Sequence, residues 1–154
     1  MTTASIWRIA LLYDSECPLC MREVNFLQRQ DNGRGLVRFV DIADDNYDPA
    51  DYGNVSFAAA MERIHAVLPD GTVLQNVAVF RYTYDLLGIG WIYSITKVPI
   101  IGQFVDVLYG IWAKYRLKLT GRPDLITLIQ TREERLNCRV NCELSGELNR
   151  ECHL

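Results

Sequence analysis

Hydrophobic and polar positions along this chain change rhythm several times, and each change marks an element. Ile6-Trp7-Arg8-Ile9-Ala10-Leu11-Leu12-Tyr13 is a nearly continuous apolar run that stops at Asp14-Ser15. That pattern suits a central strand buried on both faces. From Pro18 onward Cys20, Val24 and Leu27 recur at four- and three-residue spacings, which places them on one face of a first helix. Phe26 lies off that stripe, where it can meet a neighbouring element. Pro18 fits a first turn because its missing N–H has no helical partner to lose. Asp31-Asn32-Gly33 is a stop signal, and Leu36 to Ile42 reads as the second strand.

Asp41, Asp44, Asp45, Asp48 and Asp51 then crowd a polar loop with Pro49 and Gly53. The loop lacks the spacing of a calcium loop and reads as solvated surface. Ser56 is placed to N-cap a short helix through Phe57 and Met61. Arg63 to Leu68 and Val73 to Gln75 are short strands around the turn Pro69-Asp70-Gly71-Thr72, and Asp-Gly is a strong hairpin signal. A third helix runs from Ala78 to Leu87 and ends at Gly88. The order strand, helix, strand, helix, hairpin, helix predicts an α/β fold with a central mixed four-stranded sheet flanked by helices. One crossover joins two parallel strands and an antiparallel hairpin completes the sheet, which is the thioredoxin-like architecture.

Residues 91–119 add an aromatic, apolar stretch that includes Trp91, Ile100, Phe104, Leu108, Tyr109 and Trp112. Lys97, Pro99, Asp106 and Lys114 interrupt it, so it reads as two helices broken at Pro99 rather than a membrane span, which needs about 20 mostly apolar residues. Such helices either cover a face of the sheet or present a docking surface for a protein or a peripheral membrane contact. After Asp124 the periodicity is helical and then increasingly polar. The organisation expected is a domain over 1–122 carrying the aromatic helices and a helical, polar tail over 123–154 with three cysteines.

The chemistry concentrates at Cys17-Pro18-Leu19-Cys20, where the first strand gives way to the first helix. A Cys-x-x-Cys at that junction puts the first sulfur over unsatisfied helix N–H groups and the positive end of the dipole, which favours a thiolate. The second sulfur lies one turn away, within reach of a small disulfide. Composition narrows the class without naming it. A chain of 154 residues, 49% hydrophobic and 23% charged, is an ordinary globular domain. A net charge of -3 and a pI near 5.4 give no electrostatic footprint for nucleic acid. The first apolar run is short and has no charged region before it, so no secretory signal is expected and the chain is placed in the reducing cytoplasm.

The run Tyr13-Asp14-Ser15-Glu16-Cys17-Pro18-Leu19-Cys20 carries an Asp-x-x-Cys-x-x-Cys signature after the first strand. Together with Arg63-Ile64-His65 before Asp70-Gly71, and Leu108 to Arg116, it resembles the DCC family of thiol-disulfide oxidoreductase-like proteins, a branch of the thioredoxin-like superfamily. The resemblance covers about residues 8 to 118. Ser15 stands where a glycine is common in that family, and the cysteines from Cys138 onward lie outside it. The resemblance implies dithiol exchange with protein or small-molecule thiols and disulfides and requires no cofactor.

In this reading Cys17 attacks and Cys20 resolves the mixed disulfide. Asp14, three residues earlier, either relays a thiol proton or forms a local Asx-turn at the helix entry. No proline occupies Met61-Glu62-Arg63 before the third strand, where thioredoxin-like oxidoreductases usually place a cis-proline that holds an extended partner. Docking must therefore differ, or metal binding becomes easier. Arg22 reads as solvent-facing, and His65 as a packed strand residue. Cys138, Cys142, Cys152 and His153 leave three readings open, a tetrahedral zinc set, a tail disulfide or relay, and surface thiols. The functional alternatives are accordingly a thiol-disulfide oxidoreductase, a non-enzymatic docking module using residues 91–119, and a metal-binding protein using the tail.

Overall fold

The computed structural model describes residues 7–92, 107–112 and 123–145, with positions 115, 118 and 121 between them, and side chains only to residue 140 in the last stretch. Strand β1 (Ile9–Tyr13) is central. It pairs in parallel with β2 (Val37–Asp41) and antiparallel with β3 (His65–Val67), which in turn pairs antiparallel with β4 (Val73–Gln75). The order β2-β1-β3-β4 is the expected mixed sheet. Helix α1 (Pro18–Asp31) carries the chain back between the parallel strands, a crossover that parallel pairing requires. Next come α2 (Phe57–Glu62), α3 (Val77–Leu87), a helical segment at 107–112 (α4) and α5 (Leu125–Ser145). The segment broken at Pro99 falls outside the described residues.

Alternation along β1 explains the two cores. Ile9 and Leu11 point to one face and join Leu27 of α1 with Val79, Tyr84 and Leu87 of α3. Ala10 and Leu12 point to the other and join Ala60 and Met61 of α2, with Leu125 and Leu128 of α5 packed against them. Phe26, off the main stripe of α1, meets the Tyr84 ring at 6.0 Å between centroids.

Local signals act where the sequence placed them. The Ser56 hydroxyl accepts the Ala59 N–H at 3.2 Å. The turn after β3 closes with Leu68 N–H on the Thr72 carbonyl and Gly71 at φ 85. Gly88 ends α3 at φ 82, a left-handed conformation that glycine adopts without steric cost.

The acidic loop is exposed at Asp44, Asp48 and Asp51, as the sequence reads, and local hydrogen bonds also fix its course. Asp44 and Asp48 accept the N–H groups of Asn46 and Ala50 at 2.8 and 2.9 Å, as Asx-turns do. Asp41 bridges Ser15 N–H at 3.1 Å and Ala43 N–H at 2.9 Å, tying the end of β2 to the segment that leads into α1. From α5, buried Arg132 reaches back to the Ile42 and Asp44 carbonyls at 3.0 Å each, with its guanidinium 4.6 Å from the centre of the Phe57 ring. The first half of α5 is thus an integral part of the packed domain.

His65 is 3% exposed, and its Nδ1 donates to the Arg63 carbonyl at 2.9 Å. Burial holds its pKa below the ordinary 6.5, the carbonyl bond opposing this less strongly. The unfolded chain therefore binds the proton first, so stability is full above the unfolded value of 6.5 and declines as pH falls toward the folded one. Urea midpoints taken at about pH 7.5 and about pH 5 are expected to fall in the wild type and to fall less in His65→Gln. Equal slopes in the two proteins would remove this assignment.

Candidate active site

The end of β1 and the start of α1 build the site. Cys17 is the N-cap residue of α1, with extended backbone at φ -93 and ψ 113, and its carbonyl accepts the Met21 N–H at 3.0 Å. Pro18 follows in the first turn. Upstream, the Asp14 carboxylate accepts the Glu16 N–H at 3.0 Å and its carbonyl accepts the Cys17 N–H at 3.2 Å. The Asx-turn reading of Asp14 is therefore present in the structure. Its carboxylate also borders the cavity described below, which leaves a proton-relay role open to it. Cys17 and Cys20 are both thiols, outside any disulfide, and come within 3.1 Å of each other.

Depth separates the two cysteines. An attacking Cys17 needs an accessible sulfur, but Cys17 is only 3% exposed. Cys20 is half-buried and borders a cavity of about 280 Å³ that Cys17 does not line. The reason is geometric. Cys17 caps the start of α1 behind the Asp14 turn, while Cys20, one turn on, lines the cavity beside the end of β1.

The cavity adds residues that the motif did not single out. Glu23 is three positions beyond Cys20 on α1, on the same side of the helix, and lines the same space. The Tyr84 hydroxyl donates to Glu23 Oε1 at 2.7 Å. Burial pushes the Glu23 carboxyl above its ordinary value of 4.5, with the tyrosine bond opposing. Glu23 thus holds its proton to higher pH than a surface glutamate does, which suits general acid–base work beside a thiol. No local signal marks it in the sequence, because its environment comes from α3, 61 residues away.

A raised carboxyl pKa opposes folding as the group ionises, so the penalty is absent below 4.5 and grows as pH rises through the folded value. Glu23→Gln keeps the Tyr84 acceptor and removes that penalty. It is expected to raise the thermal midpoint by a few degrees near neutral pH and to leave it unchanged in acid. A gain that is the same at both pH values would show that ionisation is not the cause.

The wall facing α1 is closed by α4. The Tyr109 hydroxyl accepts the Ile64 N–H at 3.1 Å, and the Tyr109 ring meets Phe80 and Trp112 at 6.1 and 5.7 Å. One face of the aromatic segment therefore covers the domain. On its other side Val107, Leu108, Ile111 and Tyr115 are exposed. Among the described residues no helix is long and apolar enough to cross a membrane.

The remaining candidates lie elsewhere. Arg22 is exposed, as expected, and His65 is packed in β3 away from the cavity lining. Cys138 on α5 is disulfide-bonded. The side chain of Cys142, and Cys152 and His153, lie outside the described residues, and among the described residues no cluster of three metal-ligating side chains occurs.

Comparison with known proteins agrees with the dithiol geometry. An uncharacterized chloroplastic protein of Arabidopsis thaliana is 42% identical over 142 residues, covering 87% of this chain and 66% of its own length. This chain therefore spans about two thirds of that relative. No solved structure matches it. The model of the DCC1-like thiol-disulfide oxidoreductases matches residues 11–122. That span contains both sulfurs, the β1–α1 junction and the Tyr109 closure, and on it the chain belongs to the DCC1-like thiol-disulfide oxidoreductase family.

Proposed function

We propose that the chain exchanges thiols and disulfides with Cys20 as the sulfur that meets the substrate and Cys17 as the sulfur that resolves it. The observation that carries this order is the difference in depth. Cys20 borders the cavity, and Cys17 is 3% exposed but within 3.1 Å of Cys20. Family membership supports a redox role, and the burial pattern supports this division of labour.

The exchange runs in two balanced steps. The Cys20 thiolate attacks one sulfur of a substrate disulfide, the substrate S–S bond breaks, and the departing thiolate takes up a proton. The Cys17 thiol then loses its proton, a step assigned here to Asp14 on the turn that leads into Cys17, and attacks the Cys20 sulfur. The second half of the substrate leaves as a thiol, and a Cys17–Cys20 disulfide remains. A cellular dithiol restores the reduced state.

Equilibration in graded ratios of reduced and oxidised dithiothreitol, followed by thiol counting by mass spectrometry, tests the reading. The expected result is a two-electron transition confined to Cys17 and Cys20. If the pair never forms a disulfide over the accessible range, the exchange reading fails.

We place this activity in a reducing compartment, the cytoplasm on the sequence reading, where a reduced pair is the resting state. A zinc site at Cys138, Cys142, Cys152 and His153 would first require reduction of Cys138, because only a thiolate ligates the metal. The exposed α4 residues favour a second role in docking a protein or membrane partner, with Val107 61% and Ile111 52% exposed. Vesicle flotation that survives loss of both motif cysteines would separate that role from the redox one.

A further inference from the structure

The cavity beside Cys20 also restricts which disulfide reaches it, an inference that rests on the exchange reading above. An extended polypeptide is held at a site by open main-chain donors and acceptors. The wall opposite α1 offers none at Ile64. Its N–H donates to the Tyr109 hydroxyl at 3.1 Å, and its carbonyl accepts the Asn76 N–H at 3.1 Å. Opening the first of these would leave a donor without a partner, which is costly.

The lining itself is apolar, built from side chains such as Leu12, Leu19, Phe80 and Trp112. Its ionisable groups among the described residues are Tyr13, Asp14, Cys20, Glu23 and Tyr109, and among those residues no lysine, arginine or histidine lines it. A carboxylate brought into this space would lose its hydration and face Asp14 and Glu23, with no cation among the described lining residues to compensate. The volume, about 280 Å³, is at the small end of ligand pockets. It takes a ring or a branched aliphatic group and has no room for a folded loop.

We propose that the substrate is a low-molecular-weight disulfide, uncharged beside its sulfur, whose aromatic or branched aliphatic group seats in this cavity. Cys20 attacks the sulfur attached to the seated group. The other half leaves first as a thiol, and closure of the Cys17–Cys20 disulfide then releases the seated half as a second thiol. The substrate gains two electrons and two protons, and the protein dithiol loses them.

Three probes test this on the full-length reduced chain, the neutral dipyridyl disulfide, the dianionic nitrobenzoate disulfide and insulin. Each rate is divided by the rate of the same probe with free dithiothreitol, which removes intrinsic reactivity. The normalised rate is expected to be about tenfold or more higher for the dipyridyl disulfide than for either of the others. Trp112→Ala, which takes down part of the cavity wall, is expected to shrink that preference. Equal normalised rates, an insulin rate matching the dipyridyl rate, or a preference untouched in Trp112→Ala overturns the substrate class and leaves the exchange reading in place. If no probe produces a Cys17–Cys20 disulfide, the exchange reading itself is overturned.

Discussion

Cys20→Ser is expected to reduce disulfide exchange to the background of the reagents, and Cys17→Ser to leave a stable mixed disulfide on Cys20. The asymmetry follows from where the sulfurs sit. A thiol-disulfide exchange needs the attacking sulfur in line with the substrate S–S bond, so access decides which cysteine attacks. Cys20 borders the cavity, and Cys17 lies beneath the turn at 3% exposure. With Cys17 replaced, attack proceeds but the resolving sulfur is gone, and the adduct persists. With Cys20 replaced, the remaining sulfur has no route to the substrate. Intact-mass spectrometry after a brief pulse of dipyridyl disulfide reads both outcomes directly. An adduct that accumulates on Cys17 in the Cys20→Ser chain would reverse the assigned order and restore the one suggested by the motif alone.

Arg132→Ala is expected to lower the unfolding free energy by about 2–4 kcal/mol. The guanidinium satisfies two carbonyls, those of Ile42 and Asp44, at 3.0 Å each, and covers the Phe57 ring at 4.6 Å. Truncation removes the donors, leaves the buried Ile42 carbonyl and the part-buried Asp44 carbonyl without their partner, and uncovers the ring. Arg132→Lys should recover only part of the loss. A single ammonium cannot span both carbonyls while lying flat over an aromatic face. Urea titration of the three proteins checks this. A change below about 0.5 kcal/mol for Arg132→Ala would mean that the contact is a surface arrangement of little energetic weight.

What was legible in the sequence was local. The β1–α1 junction could be read because an apolar run, a proline in the first turn and a helical spacing of Cys20, Val24 and Leu27 all act within a few residues of one another. The Ser56 cap, the Asp70-Gly71 turn and the stop at Gly88 were legible for the same reason, and strung together they predicted a mixed four-stranded sheet. Strand ends were overestimated. Ile64 was expected in the third strand, but its N–H goes to a tyrosine hydroxyl 45 positions along the chain instead of to the ladder.

The candidate site was half legible. Motif spacing located the two sulfurs, but nothing in a tetrapeptide reports depth, and burial of Cys17 comes from the tertiary fold around it. Glu23 and Arg132 were invisible for a related reason. A glutamate on a helix and an arginine in a polar stretch look like solvated residues until the fold brings Tyr84 to one and the Ile42 carbonyl, 90 positions away, to the other.

The helix that begins at Leu125 starts beyond residue 122, where the family match ends. Yet Leu125 and Leu128 cap the second core, and Arg132 staples the acidic loop from the same helix. The span of the family match and the packed domain thus have different borders in this molecule. A version trimmed to residues 11–122 would keep both sulfurs and lose the lid on one side of the sheet beneath them.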